Sequence, residues 1–137
     1  MIVYNHPAVT AYACEKIGED DWGPHFNVGL VQDDKLVAAC ILNYPTGLDV
    51  NMNVAVENKR IPPEFLRAMF DTVFNKMGCT RVTCYVEPSN KASIKLTEHV
   101  GFVKEGVKRL GAGDKDLVMY GMIKSECRWI EQEKLAA

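Results

Sequence analysis

The chain has 137 residues, 16 basic and 18 acidic, with 47% hydrophobic and 25% charged side chains. That content supports one domain, residues 1–137, with an apolar core, and it excludes a disordered chain. The net charge of −2 excludes a binder of duplex nucleic acid that relies on a strongly basic surface. The longest uncharged apolar run, Leu36 to Leu42, falls far short of the roughly 20 residues of a membrane-spanning helix. Residues Met1 to Pro7 lack the basic and apolar regions of a secretion signal. The five cysteines, at 14, 40, 79, 84 and 127, form no C-x-x-C pair. With no clustered Cys and His ligands there is no expected metal site. Free thiols in apolar segments point to a reduced, cytoplasmic protein.

Pro7 to Ile17 carries Ala8, Ala11, Tyr12 and Cys14 and stops at Gly18, which predicts a short helix. Phe26–Gln32 and Lys35–Tyr44 are apolar runs on either side of Asp33-Asp34, a hairpin signal. Pro45-Thr46-Gly47 reads as a turn. From Asp49 to Glu57, Val50, Met52, Val54 and Val56 alternate with Asn51, Asn53 and Ala55, the period of a strand.

Pro62-Pro63-Glu64 opens a helix to Met77, because proline is tolerated in the first turn and Glu64 suits the N-terminal dipole. Phe65, Leu66, Met69, Phe70, Val73, Phe74 and Met77 form its apolar stripe. Lys76 and Gly78 fit the C-terminus. Arg81–Glu87 is a strand, and Asn90 to His99 a helix closed by Gly101. Phe102–Leu110 and Asp116–Lys124 are strands about a Gly-rich turn, and residues 129–137 form a helical or frayed tail. Strand 49–57, helix 62–77 and strand 81–87 make a βαβ crossover with parallel strands. The fold class is α/β: a mixed sheet flanked by helices.

The run Val86-Glu-Pro-Ser-Asn90-Lys-Ala-Ser93-Ile-Lys-Leu96, with Gly101-Phe102, Glu105-Gly106 and Arg109, resembles the C-terminal half of GNAT-superfamily N-acetyltransferases. That superfamily carries N-x-x-[AS]-x-x-L, then G-F, then E-G. The element order of residues 26–124 also matches, so the resemblance spans most of the chain. It is to the small stand-alone bacterial or phage type. The Ser variant and the later arginine are reminiscent of the branch that acetylates protein N-termini, ribosomal proteins included. Taken singly, Asn90 reads as an N-cap, Ser93 as a surface residue and Gly101 as a C-cap.

The resemblance implies acetyl-CoA as cosubstrate, lying where the two parallel strands splay apart. Such ligands bind beyond the carboxyl ends of parallel strands. By the family pattern, Val54 and Val56 offer backbone groups to the pantetheine arm, and Asn90 binds it. Ser93 faces the thioester sulfur, where a hydroxyl stabilises the departing thiolate. Many members use a tyrosine one turn further on. Thr97 stands there in this chain, which makes Ser93 the better candidate and Tyr120 a weaker one. Glu57 is the candidate base for the amine, with Asp49 an alternative, and both also read as solvated acids.

The family's phosphate loop, Q/R-x-x-G-x-G/A, is altered. Its place is taken by Arg60-Ile-Pro-Pro63-Glu-Phe65. Pro62 and Pro63 have no N–H to give, and only Arg60, with Lys59 beside it, offers charge to the phosphates. Either CoA is held by side chains, or acetyl transfer has been lost. The expected function is acetyl transfer by direct attack in a ternary complex. The acceptor is an amine: a protein N-terminus, a lysine or a small molecule. The alternative is a catalytically degenerate GNAT domain serving as a protein-interaction module. Nucleic acid and membrane are not expected partners.

Overall fold

A computed structural model describes residues 1–58 and 60–132. The elements are β1 (Ile2–Tyr4), α1 (Pro7–Ile17), β2 (His25–Gln32), β3 (Lys35–Thr46), β4 (Asp49–Val56), α2 (Pro63–Asp71), β5 (Arg81–Val86), α3 (Lys91–Val100), β6 (Val103–Lys108) and β7 (Leu117–Ile123). The seven strands form one mixed sheet in the order β1-β2-β3-β4-β5-β7-β6. β4 and β5 run parallel, and every other pair is antiparallel. The expected mixed α/β sheet and its βαβ crossover are therefore present.

The hairpin turn between β2 and β3 follows from Asp33 and Asp34, which both take positive φ, 51° and 62°. Two such residues in sequence match the twist of the flanking strands. α1 packs on one face of the sheet, where Val9 and Ala13 meet Trp22, Ala39 and Ile41. Gly29 of β2 permits that approach, since a Cβ there would lie 2.5 Å from Val9 Cγ2. α2 and α3 cover the other face. Of the seven residues expected on the apolar stripe, Phe65, Leu66, Met69, Phe70, Val73 and Phe74 are buried and Met77 is half-buried. Phe70 stacks on Phe74, ring centroids 6.2 Å apart, and meets Phe102 at a tilt, 6.0 Å away.

Several boundaries differ from expectation. β1 was not foreseen, being three residues with a single partner strand. β3 continues past Tyr44 through an irregularity to Thr46, and Tyr44 carries the positive φ, 48°, that this bend needs. The helix expected over 62–77 is α-helical only to Asp71 and continues as a π-turn over Thr72–Lys76. Thr72 contributes by turning its hydroxyl back to Ala68 O, 2.8 Å away, a bond that competes with the regular ladder. β6 ends at Lys108 rather than Leu110, because Asp116 Oδ1 accepts from the Leu110 N–H and draws it into the turn. Residues 129–132 are not helical. Trp129 instead donates its indole N–H to Val100 O at 2.8 Å, and the rest of the expected tail lies outside the described residues.

Candidate active-site cleft

β4 and β5 are joined by the single register pair Asn51↔Thr83. Toward their carboxyl ends the strands part, and a cleft of about 510 Å³ opens between them. β3 still pairs with Val54, Ala55 and Val56 along the other edge of β4. Among the described residues the cleft-facing edge here has no strand partner, so its backbone N–H and C=O groups are available to a bound chain. The walls are Val54, Val56, Leu66, Met69 and Phe70 on the apolar side, and Cys84, Tyr85, Asn90, Ser93 and Thr97 toward β5 and α3.

α3 is aimed into this opening by its own cap. Asn90 Oδ1 accepts from the Ser93 N–H at 3.1 Å. Asn90 therefore is the helix N-cap. Its side-chain NH₂ makes no hydrogen bond to another described residue, and the residue lines the cleft. Ser93 lies one turn into the helix, half-buried, with its hydroxyl in no hydrogen bond to another described residue. Gly101 ends the helix at φ 120°.

Four of the expected site residues, Val54, Val56, Asn90 and Ser93, thus come together in one cleft. Glu57 lines an adjoining hollow instead. Its carboxylate accepts from Tyr12 OH at 2.7 Å and pairs with Lys16 Nζ at 3.0 Å, both on α1. The tyrosine hydrogen bond, then the lysine, hold its pKa below the ordinary carboxylate range. Arg60 is exposed and lines neither opening. Lys59 lies outside the described residues. Asp49 is at the far end of β4, accepting from Thr83 Oγ1 at 2.9 Å and pairing with Arg81 at 3.4 Å. Tyr120 is buried beneath α3 and donates its hydroxyl to Glu98 Oε2 at 2.7 Å. Burial and that carboxylate push its pKa up to about 12. At the start of α2 the Phe65 N–H turns back onto Pro62 O at 3.0 Å.

Three features escaped the sequence reading. Cys84 faces the cleft, and burial pushes its thiol pKa up to about 12. Lys16 closes the α1 side of the cleft. Glu105, from the E-G pair, is the extra residue of a bulge in β6 and binds Arg81 at 2.8 Å. That pair lies over Gly121 of β7, where a Cβ would come within 2.5 Å of Glu105 and 2.6 Å of Arg81.

A family model for the acetyltransferase (GNAT) domain matches residues 5–103. The chain belongs to the GNAT acetyltransferase family. A search of curated proteins finds no match to this sequence. Solved structures share the fold. A protein described as "Probable acetyltransferase" superposes with a TM-score of 0.62 at 24% identity over 73% of this chain. This chain spans 61% of that protein's length. The ribosomal-protein-S18-alanine N-acetyltransferase of Escherichia coli gives 0.65 at 18% identity, with all of both chains covered. A spermidine N-acetyltransferase chimera from Vibrio cholerae and hSSAT gives 0.68 at 10% identity over 91% of this chain and 97% of its own. Membership of this GNAT family supports acetyl transfer with acetyl-CoA as the donor. The acceptors in those two names, an alanine of ribosomal protein S18 and spermidine, differ so widely that the shared fold does not select one. No helix among the described residues is long and apolar enough to cross a membrane.

Proposed function

We propose that this chain moves the acetyl group of acetyl-CoA directly onto an amine, with both substrates bound at once. The observation that carries this reading is the parting of β4 from β5 beside Asn90 and Ser93. The open edge of Val54 and Val56 pairs with the pantetheine amides as an added strand would. The Asn90 NH₂, which its cap bond leaves over, donates to a carbonyl of the same arm. The apolar wall of Leu66, Met69 and Phe70 excludes water from the thioester.

Ser93 donates its hydroxyl to the sulfur as the C–S bond breaks and the new C–N bond forms, which spreads the developing charge. The amine must lose a proton on the way. Among the described residues, Glu57 is the only carboxylate lining either opening. We assign it that proton, passed through water, because its ionised form is held by Tyr12 and Lys16. Holding both substrates together supplies much of the acceleration. The acceptor class is an amine of a protein N-terminus, a lysine or a small molecule. The proposed compartment is the cytoplasm, supported by the five free thiols.

The degenerate-domain alternative is not favoured, since the cleft is open and polar where the reaction needs it. Calorimetric titration with acetyl-CoA, followed by release of free thiol in the presence of alanine-initiated peptides or polyamines, tests the proposal. Saturable binding and amine-dependent thiol release are expected. Absence of binding at millimolar acetyl-CoA overturns it.

A further inference from the structure

The side chains assigned to acetyl-CoA approach the cleft from one face of the sheet. Leu66, Met69 and Phe70 belong to α2, Asn90 and Ser93 to the start of α3, and both helices cover that face. The cleft also reaches the other face, on which α1 packs. Lys16 and Ile17 of α1 line it, and so do Asn53 and Tyr85. An opening that passes between two strands has two mouths. In a ternary complex the two substrates must meet without sharing one path, so acetyl-CoA on the α2 and α3 side leaves the α1 side to the amine.

The surface at that second mouth is bare sheet. α1 packs over β2, β3 and β4, and among the described residues no helix is packed on β5, β7 and β6 on this face. The register sets Tyr85, Met119 and Gly106 in one row across these three strands, because residues directly opposite share a face. Leu117 and Lys108 stand in the next row. Tyr85, Met119 and Leu117 are only half-buried, and Gly106 adds no side chain to obstruct the row. The exposed Lys108 brings its Nζ to 5.3 Å from the Tyr85 ring centroid. The result is an apolar strip that begins at the cleft and is reached by a positive charge. The inner ammonium groups of a polyamine would meet lysine and apolar side chains here, whereas the apolar side chains of a peptide would gain by burial.

We infer that the strip from Tyr85 across Met119 takes the chain of a peptide acceptor, whose terminal amine enters the cleft past Tyr85. This inference rests on the proposed acetyl transfer and selects, among its amines, a peptide with apolar residues after the first. From β5 across β7 to β6 is about 10 Å at the usual strand spacing, the span of roughly three extended residues. Transfer forms the amide C–N bond and breaks the thioester C–S bond. The proton of the amine leaves toward Glu57 and the thiolate departs beside Ser93, which together account for the free thiol of CoA.

The measurement is the KM of the full chain for three acceptors: alaninamide, a tripeptide amide of alanine, valine and leucine, and spermidine. The tripeptide should have the lowest KM, about tenfold below alaninamide, the scale of burying one apolar side chain. Met119→Gln with Leu117→Gln should remove most of that advantage, while calorimetric binding of acetyl-CoA shows that the paired variant is folded. Val107→Gln, exposed on the opposite face of β6, should keep the advantage. A parent that favours spermidine, or that treats tripeptide and alaninamide alike, overturns the inference while acetyl transfer stands. So does a paired variant that keeps the advantage. A parent dimer in sedimentation that the paired variant separates would give the strip to a second copy and overturn it too. Binding of acetyl-CoA without transfer to the tripeptide sinks this inference alone. If the parent binds no acetyl-CoA, the proposed transfer itself falls, and this inference with it.

Discussion

Asn51 of β4 and Thr83 of β5 are the last point at which the two parallel strands of this fold remain in register. Three residues further along β4, Val54 lines open space. The amides of residues 53–56 on that edge are expected to exchange faster with solvent than those paired to β3. Acetyl-CoA should slow them. Hydrogen-exchange mass spectrometry with and without the ligand checks this, and an unchanged rate across 53–56 would refute strand-like binding.

Ser93→Ala removes a hydroxyl that has no protein partner among the described residues, so the fold should lose little. If that hydroxyl serves the leaving sulfur, kcat should fall by roughly 10–1,000-fold. Affinity for acetyl-CoA should stay nearly constant, because the interaction arises only as charge develops. Steady-state rates together with calorimetry make the comparison. A loss confined to KM would assign Ser93 to binding instead.

No acetyl-enzyme should form. Cys84 is the thiol facing the cleft, and its raised pKa, about 12, keeps it protonated at neutral pH. A thiol in that state is a poor nucleophile. Intact-mass analysis after incubation with acetyl-CoA alone should show the unmodified chain. A stoichiometric acetyl adduct on a cysteine, discharged by an amine, would contradict direct transfer.

Glu57 is tied to α1 by Tyr12 and Lys16, and its folded-state pKa lies below the ordinary value. A lowered carboxylate pKa contributes stability that is present above the unfolded value, about 4.3. That contribution is lost as pH falls through the folded value. The melting-temperature difference between parent and Glu57→Gln should therefore be constant near neutrality and close below about pH 4. If Glu57 also takes the amine proton, the variant's activity optimum should move to higher pH, where the amine deprotonates unaided. A stability difference with no such movement would leave Glu57 only the tether.

Phe70 is fully buried between Phe74 and Phe102, and it also forms part of the cleft wall. Phe70→Ala should cost about 3–5 kcal/mol in chemical denaturation. A cost below about 1 kcal/mol would mean that the site collapses around the missing ring.

The local patterns of the sequence were sufficient for most elements. The stripe from Phe65 to Phe74 and the alternation from Val50 to Val56 are properties of neighbouring residues, and each forced its own helix or strand. Asn90 and Gly101, as caps, likewise act within one turn of themselves. β1 was not legible, because a three-residue strand exists only through its pairing with β2. The π-turn at Thr72 was hidden for a related reason, since its side-chain bond to Ala68 competes with a helix that the apolar stripe continues unbroken.

The site divides along the same line. The run from Asn90 to Gly106 carries the family resemblance, and it lies within one helix and the strand after it. Which charges meet across the chain was decided by packing alone. Glu57 is 41 residues from Lys16 and 45 from Tyr12, yet α1 brings all three together. Arg81 and Glu105 are 24 apart and are joined by a bulge seated over Gly121, which has no side chain to displace them. Composition and period fix a residue's own backbone and the face it buries. Ion pairs between distant segments depend on how the faces stack, and so only the folded chain determined them.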